Sequence, residues 1–335
     1  MKQNIDISTS TLFRFVLIIL GLIFIYLTRD ILLMIFIALI IAAAIDEPVD
    51  WLARHHVRRP LGAAIIYLTI LLALVAFIYW ALPPLASQLK VLATVLPEFL
   101  DKIGVNLSLL QTKFTSEYSQ KLLEGFSGQL YGATSNIFGT AINIFGGIFS
   151  AGVIIVISFY LVVQDKGIKR FLASVTPAEH RPYVANLAER IQSKLGAWLR
   201  GQLFLMLIIA VLIFLGLSFL KVEFALTLAL LAGLFEIVPY VGPILAGLTA
   251  ITLAFLQSPV LALLVLILFL VAHQIESYLL IPQIMKRVVG LNPLVVIISM
   301  IIGAKLMGVL GIIVAVPVVA TLSVFLGDIF LREQK

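Results

Sequence analysis

Apolar runs of roughly 17 to 25 residues recur along most of this chain, and each is long enough to cross about 30 Å of hydrocarbon as a helix. A soluble fold would have too little polar surface to enclose them. Of 335 residues, 62% are hydrophobic and 12% charged, against about 25% charged in an ordinary soluble domain. The runs are apolar on all faces rather than alternating, so helices and not barrel strands are implied. The expected class is therefore all-α and polytopic.

Full spans are read at 12–28, 31–45, 61–83, 137–163, 203–220 and 260–281. The first run lacks a small-residue cleavage site and is followed by Thr28, Arg29 and Asp30 and at once by a second run, so it reads as a retained span. Sidedness follows from charge. The loop from Asp46 to Pro60 carries Arg54, Arg58 and Arg59, and 164–200 carries seven Lys and Arg, so both are expected in the cytoplasm, with both termini. The same loops account for the net charge of +6, and nucleic acid is not an expected partner. The adjacent His55 and His56 read as a solvated pair, and a chain without cysteine has no thiolate site.

Between these spans, 84–136 reads as an amphipathic extracytoplasmic segment, with Leu85, Leu89, Leu92 and Leu96 at helical spacing. A second amphipathic stretch runs from Thr176 to Arg200, with Thr176 as N-cap and Glu179 completing a capping box. The resulting organisation is 1–83, N-terminal helices; 84–136, outer segment; 137–200, a span and a cytoplasmic helix; 201–327, core; and 328–335, tail.

Two apolar segments resist a single crossing. Phe224 to Gln257 contains Pro239, Gly242 and Pro243 in its middle, which will not continue one helix. If it crossed once, the next span would leave Lys286 and Arg287 outside, against the charge bias. A re-entrant hairpin resolves both conflicts. The glycine-rich tip Gly303, Gly308 and Gly311 marks a second hairpin over 293–326, introduced by Asn292 before Pro293. Six full helices plus two oppositely oriented re-entrant hairpins result, an inverted repeat of the kind that builds secondary transporters; the alternative is eight complete spans.

The motifs Arg200-Gly201-Gln202, Phe235-Glu236-Ile-Val-Pro239-Tyr240-Val-Gly242-Pro243, Gln274-Ile-Glu276 leading to Pro282, Val289-Gly290-Leu-Asn292-Pro293 and the Gly303–Pro317 stretch together resemble the autoinducer-2 exporter-like family of bacterial membrane proteins. That resemblance implies a multi-pass inner-membrane transporter, a homopentamer and an elevator-like moving domain. Its members are linked to export of the quorum-sensing signal autoinducer-2 or to exchange of sodium or lithium against protons. Lys305 departs from the small or neutral residue expected at its tip.

Candidate substrate- or ion-binding residues are Glu236, Glu276, Lys305, Asn292, Gln202 and His273. Glu236 lies in an apolar arm where a charge is costly unless paired or facing a cavity; it fits a cation or proton site, or a carboxylate that satisfies exposed amides. His273 and Glu276 are three apart and share a helix face, as in a relay or a packing cluster. Lys305 could meet a polar substrate or Glu236, or snorkel to the surface. Pro239, Gly242, Pro243, Gly303, Gly308 and Gly311 read as backbone devices at the tips.

No nucleotide-binding loop or nucleophile elbow occurs in an apt context, so an enzyme or ATP-driven pump is not expected. No cofactor is expected beyond a coupling proton or sodium ion. The leading function is a secondary transporter or facilitator of a small polar solute. A sodium/proton antiporter and a non-transporting assembly scaffold are the alternatives.

Overall fold

In the computed structural model the described residues are 9–79, 137–164, 172, 174–285 and 292–332. The amphipathic outer segment, Lys286, Arg287 and Gly290 lie outside them. The described residues form an all-α, polytopic protein. Helices α1 (Thr9–Leu27), α2 (Arg29–Arg54), α3 (Arg59–Tyr79) and α4 (Ile137–Val163) make the N-terminal part. Helices α5 (Arg181–Phe219), α6 (Ala225–Phe235), α7 (Val241–Gln257), α8 (Pro259–Ile275) and α9 (Ile281–Met285) follow. The last helical segment, α10, covers Pro293–Arg332 and is broken at Met307 and Gly308.

Three apolar clusters hold these elements together. Ala42, Ile45, Val49, Ala63 and Val162 join α2 to α3 and α4. Ile40 and Ala43 meet Leu195 and Trp198 of α5 and Val296, Met300 and Ala315 of α10. Leu205, Ile209, Ile213 and Leu217 of α5 pack with Leu228 of α6, Ala250 of α7 and Val265 of α8. Small residues dominate the α6, α7 and α8 contributions. With lipid outside there is little hydrophobic drive between helices, and close packing of small side chains replaces it.

Both expected breaks are present as helical hairpins. At the first, α6 ends at Phe235 and α7 begins at Val241. Tyr240 sits at φ 65 and ψ −46, and Val241 N donates to Pro239 O at 2.8 Å. This is a γ-turn, a strained backbone that persists only where its surroundings hold it. Gly242 is required by close approach, since a Cβ there would lie 2.0 Å from Phe235 O. The open ends also meet, Glu223 N lying 3.4 Å from Gln257 Oε1. An arm of 11 residues spans about 16 Å at 1.5 Å per residue, too short to cross a bilayer upright.

At the second hairpin Gly308 takes φ +60, and Gly303 and Gly311 pack backbone to backbone across the break. The arm before the break is short, whereas the one that follows continues to Arg332 with Pro317 inside it. Asn292 acts as the start signal expected of it: its Oδ1 accepts from Leu294 N at 2.9 Å.

Two sequence expectations are corrected. Thr176 does not cap a helix: its hydroxyl donates back to Leu172 O at 2.6 Å, and a short 3-10 turn over Ala178–His180 leads into α5. The residue that precedes this turn is Pro177, which has no side chain able to cap it. Nor does Asp46 open a loop, because α2 runs on through Pro48 to Arg54. Arg59, read as a loop cation, begins α3, forms ion pairs with Asp46 and Asp50 and donates to Val162 O at 2.8 Å. The solvated-pair expectation for His55 and His56 holds: both are exposed, and His55 Nδ1 lies 2.8 Å from Trp51 O.

Candidate functional site

Glu236 is the first residue beyond α6 and caps its C-terminus. It is 1% exposed, among the most completely buried side chains of the described residues. Two features of the sequence place it there. The apolar arm before it packs on α5, and the Pro239–Pro243 turn folds α7 back over it.

Opposite Glu236 stands Glu276, 5% exposed. It opens a π-helical turn, Glu276–Leu280, that interrupts the run from α8 into α9. Wider i→i+5 turns of this kind re-aim side chains and concentrate at functional sites. The two side chains line the same small cavity. Glu236 Oε2 is buried with no hydrogen-bond partner among the described residues. Burying two acidic groups on one largely apolar cavity is costly unless something compensates their charge.

His273, one turn before Glu276, places Nδ1 3.5 Å from Glu276 Oε2, an ion-pair separation without hydrogen-bond geometry, and that nitrogen is itself buried. Its side chain is 43% exposed and that of Glu276 7%. Thus His273, Glu276 and Glu236 form a row of titratable groups running from an accessible position to a buried one. They line a cavity of about 20 Å³ with Ile209 and Ile213 of α5, Pro243 of the turn and Phe269 of α8. A cavity needs roughly 10–15 Å³ on this measure to hold one water. This one therefore accepts a single water-sized occupant.

Gln202 secures the turn from the α5 side. It is 2% exposed, and its Nε2 donates to Glu236 O at 2.6 Å. That carbonyl belongs to the last turn of α6, where no helical donor remains. Gln202 thus meets the Glu236 backbone rather than the cavity.

Of the residues singled out in the sequence, Glu236, Glu276, His273 and Gln202 come together, with Pro239, Gly242 and Pro243 forming the turn beside them. Lys305 and Asn292 do not join the group. Lys305 is exposed at the second tip and forms no ion pair among the described residues, and Asn292 is an exposed helix cap. Gly303, Gly308 and Gly311 shape the second tip, and Val238 of the first hairpin packs on the cluster containing Val296 and Met300. Glu236 and Glu276 were both expected at the ion site, whereas the π-turn that carries Glu276 was not.

A family model described as AI-2E family transporter matches residues 13–330. Curated relatives carry names of the same kind. "Putative transport protein YueF" of Bacillus subtilis is 27% identical over 308 residues, which is 84% of this chain and 79% of the relative. "Putative transport protein sll0060" of Synechocystis is 27% identical over 307 residues, covering 87% and 86%. "Putative transport protein YhhT" of Escherichia coli K12 is 25% identical over 307 residues, covering 90% and 86%.

Proposed function

Because this chain belongs to the AI-2E transporter family, we propose that it is an ion-coupled secondary transporter whose coupling proton or sodium ion is held by Glu236 and Glu276. The observation that carries the reading is the facing pair of buried carboxyl groups on a cavity with room for one water-sized occupant. A packing role alone leaves Glu236 Oε2 unexplained, since a buried acceptor without a partner is destabilising. A proton or small cation resolves it, and His273 gives that ion a stepping point toward the accessible side. A multi-pass bacterial inner-membrane location is part of this reading, with both termini in the cytoplasm.

The cavity has room for a water-sized occupant, so we assign it to the coupling ion rather than to the cargo. The cargo would be a small polar solute handled elsewhere on the moving surface, with autoinducer-2, the signal behind the family's name, as the first candidate to assay. A cation/proton antiporter, in which the ion is itself the cargo, is the second reading, and the one-ion cavity favours it. Both readings use an elevator-like movement of the two hairpins as an inverted repeat, within a homopentamer.

Proteoliposomes containing the purified protein separate these possibilities. Autoinducer-2 uptake that accelerates with an imposed pH gradient supports coupled solute transport. Collapse of the pH gradient on adding sodium or lithium, with no solute present, supports antiport. A pH gradient that neither drives nor responds to any of these would contradict the proposal.

Topology gives a further test. The inverted repeat places the open ends of the first hairpin outside, so cysteines introduced singly at Glu223 and Ser258 are expected to react with an impermeant maleimide from the periplasmic side. Labelling of Ser258→Cys from the cytoplasm would eliminate the outward-opening hairpin.

A further inference from the structure

We infer that Arg200 supplies the hydrogen-bond donor missing at Pro48 of α2, and that this clamp, acting along α5 through Gln202, holds the Glu236 turn in position. Arg200 is on this account a positioning residue. The inference takes Glu236 as the ion site from the preceding subsection, but its tests read stability and backbone protection, so they stand or fall separately from it.

Proline within a helix has no N–H, so the carbonyl four residues earlier loses its donor and is crowded by the ring. For Pro48 that carbonyl belongs to Ala44. Ala43 and Ala44 are each 5% exposed, so water is a poor substitute, and a buried carbonyl requires another partner. Arg200 Nη1 lies 3.2 Å from Ala44 O and 3.3 Å from Ala43 O. Its Nη2 lies 2.6 Å from Glu47 Oε2. One guanidinium thus reaches two carbonyls and a carboxylate, a task suited to its planar fork and poorly met by an ammonium.

The rest of the α5 face is shaped for the same contact. Gly196 brings the helix so close that a Cβ would stand 2.2 Å from Ala43 O. Gln192 Nε2 donates to Asp46 Oδ2 at 3.0 Å. Residues 192, 196 and 200 recur every fourth position and form one stripe on α5. Gln202, two residues beyond Arg200, lies roughly 200° around the helix, on the side that meets the Glu236 carbonyl. A single continuous helix therefore grips the α2 kink with one face and the ion-site turn with the other. Any slide or rotation of α5 that breaks the first contact withdraws the second.

The test is a double-mutant cycle on thermal stability of the full protein in detergent, with Glu47→Gln present in every member so that no carboxylate is left unpaired. Pro48→Ala restores the amide. Arg200→Met is expected to lower Tm in the Pro48 background and to lower it by less than half as much in the Pro48→Ala background. Equal losses in the two backgrounds would overturn the clamp. Hydrogen–deuterium exchange then reads the turn. Arg200→Met, and the milder Arg200→Lys if Met does not fold, is expected to speed exchange over 236–242 roughly tenfold while leaving 259–275 unchanged, and Gln202→Leu should reproduce the effect. Unchanged exchange over 236–242 would overturn the positioning role even if the cycle couples.

Discussion

Alanine at Gly303 or Gly311 is expected to open the second hairpin and cost the protein about 3 kcal/mol or more, at the top of the range for overpacking. A Cβ on Gly303 would stand 2.3 Å from Gly311 O, and one on Gly311 would stand 2.0 Å from Gly303 O. Both clashes are with backbone, which cannot rotate away as a side chain would. Relief requires the two arms to separate by about an ångström, and this strips packing from the apolar residues on either side. Gly327→Ala is the control, because nothing lies within 4 Å of its Cβ position. It should be neutral or slightly stabilising, by up to about 1 kcal/mol from helix propensity. Thermal melts of the three variants in detergent, followed by size-exclusion chromatography, check this. Melting at the parent temperature for both Gly303→Ala and Gly311→Ala would show that the arms are not in contact.

Local rules explain what could be read from the sequence alone. Pro239, Gly242 and Pro243 fall within five positions of an otherwise apolar segment, and no tertiary contact can make that stretch one regular helix. The glycines at 303, 308 and 311 gave the second hairpin for the same reason, since only glycine tolerates both the positive φ and the close approach found there. Asn292 before Pro293 worked as a start signal because a cap uses atoms two residues apart.

The same local logic misjudged α2. The segment from Asp46 was read as a loop, but the helix continues through Pro48, and Arg200, 156 residues beyond Ala44, donates to the Ala44 carbonyl. Thr176 failed as a cap because the helical turn starts one residue later, behind Pro177, while its hydroxyl donates back to Leu172 O.

The candidate site was legible in part. Glu236 stood out because a carboxyl beside a helix break in apolar surroundings is costly. How Glu276 comes to face it was not readable, because that depends on how α8 lies against α5 and α6 and on a π-turn with no sequence signature. Lys305 attracted attention by the same cost argument, and it is exposed at its tip rather than grouped with the buried carboxyls. A charge in an apolar segment is therefore informative only once its burial is known.

Replacing Glu236 with Gln should have the largest effect on transport. Gln keeps the length of the side chain and can still hydrogen-bond, so folding and assembly should persist. It cannot carry the ionisable proton or offer a charge to a cation. Losing a hydrogen-bonded interaction with a charged group costs about 1.5–3 kcal/mol, a factor of roughly ten to a hundred in ion affinity. Its removal should leave Glu276 and His273 in place but break the row at its buried end.

The most direct measurement is therefore transport of the identified cargo by proteoliposomes containing parent or Glu236→Gln protein, across a series of pH values, with matched protein content and oligomer size. The expected result is a variant that is assembled like the parent but slower by roughly tenfold or more, with a flattened pH dependence. Transport by Glu236→Gln at the parent rate and with the parent pH profile would contradict the assignment of the ion to the Glu236–Glu276 pair.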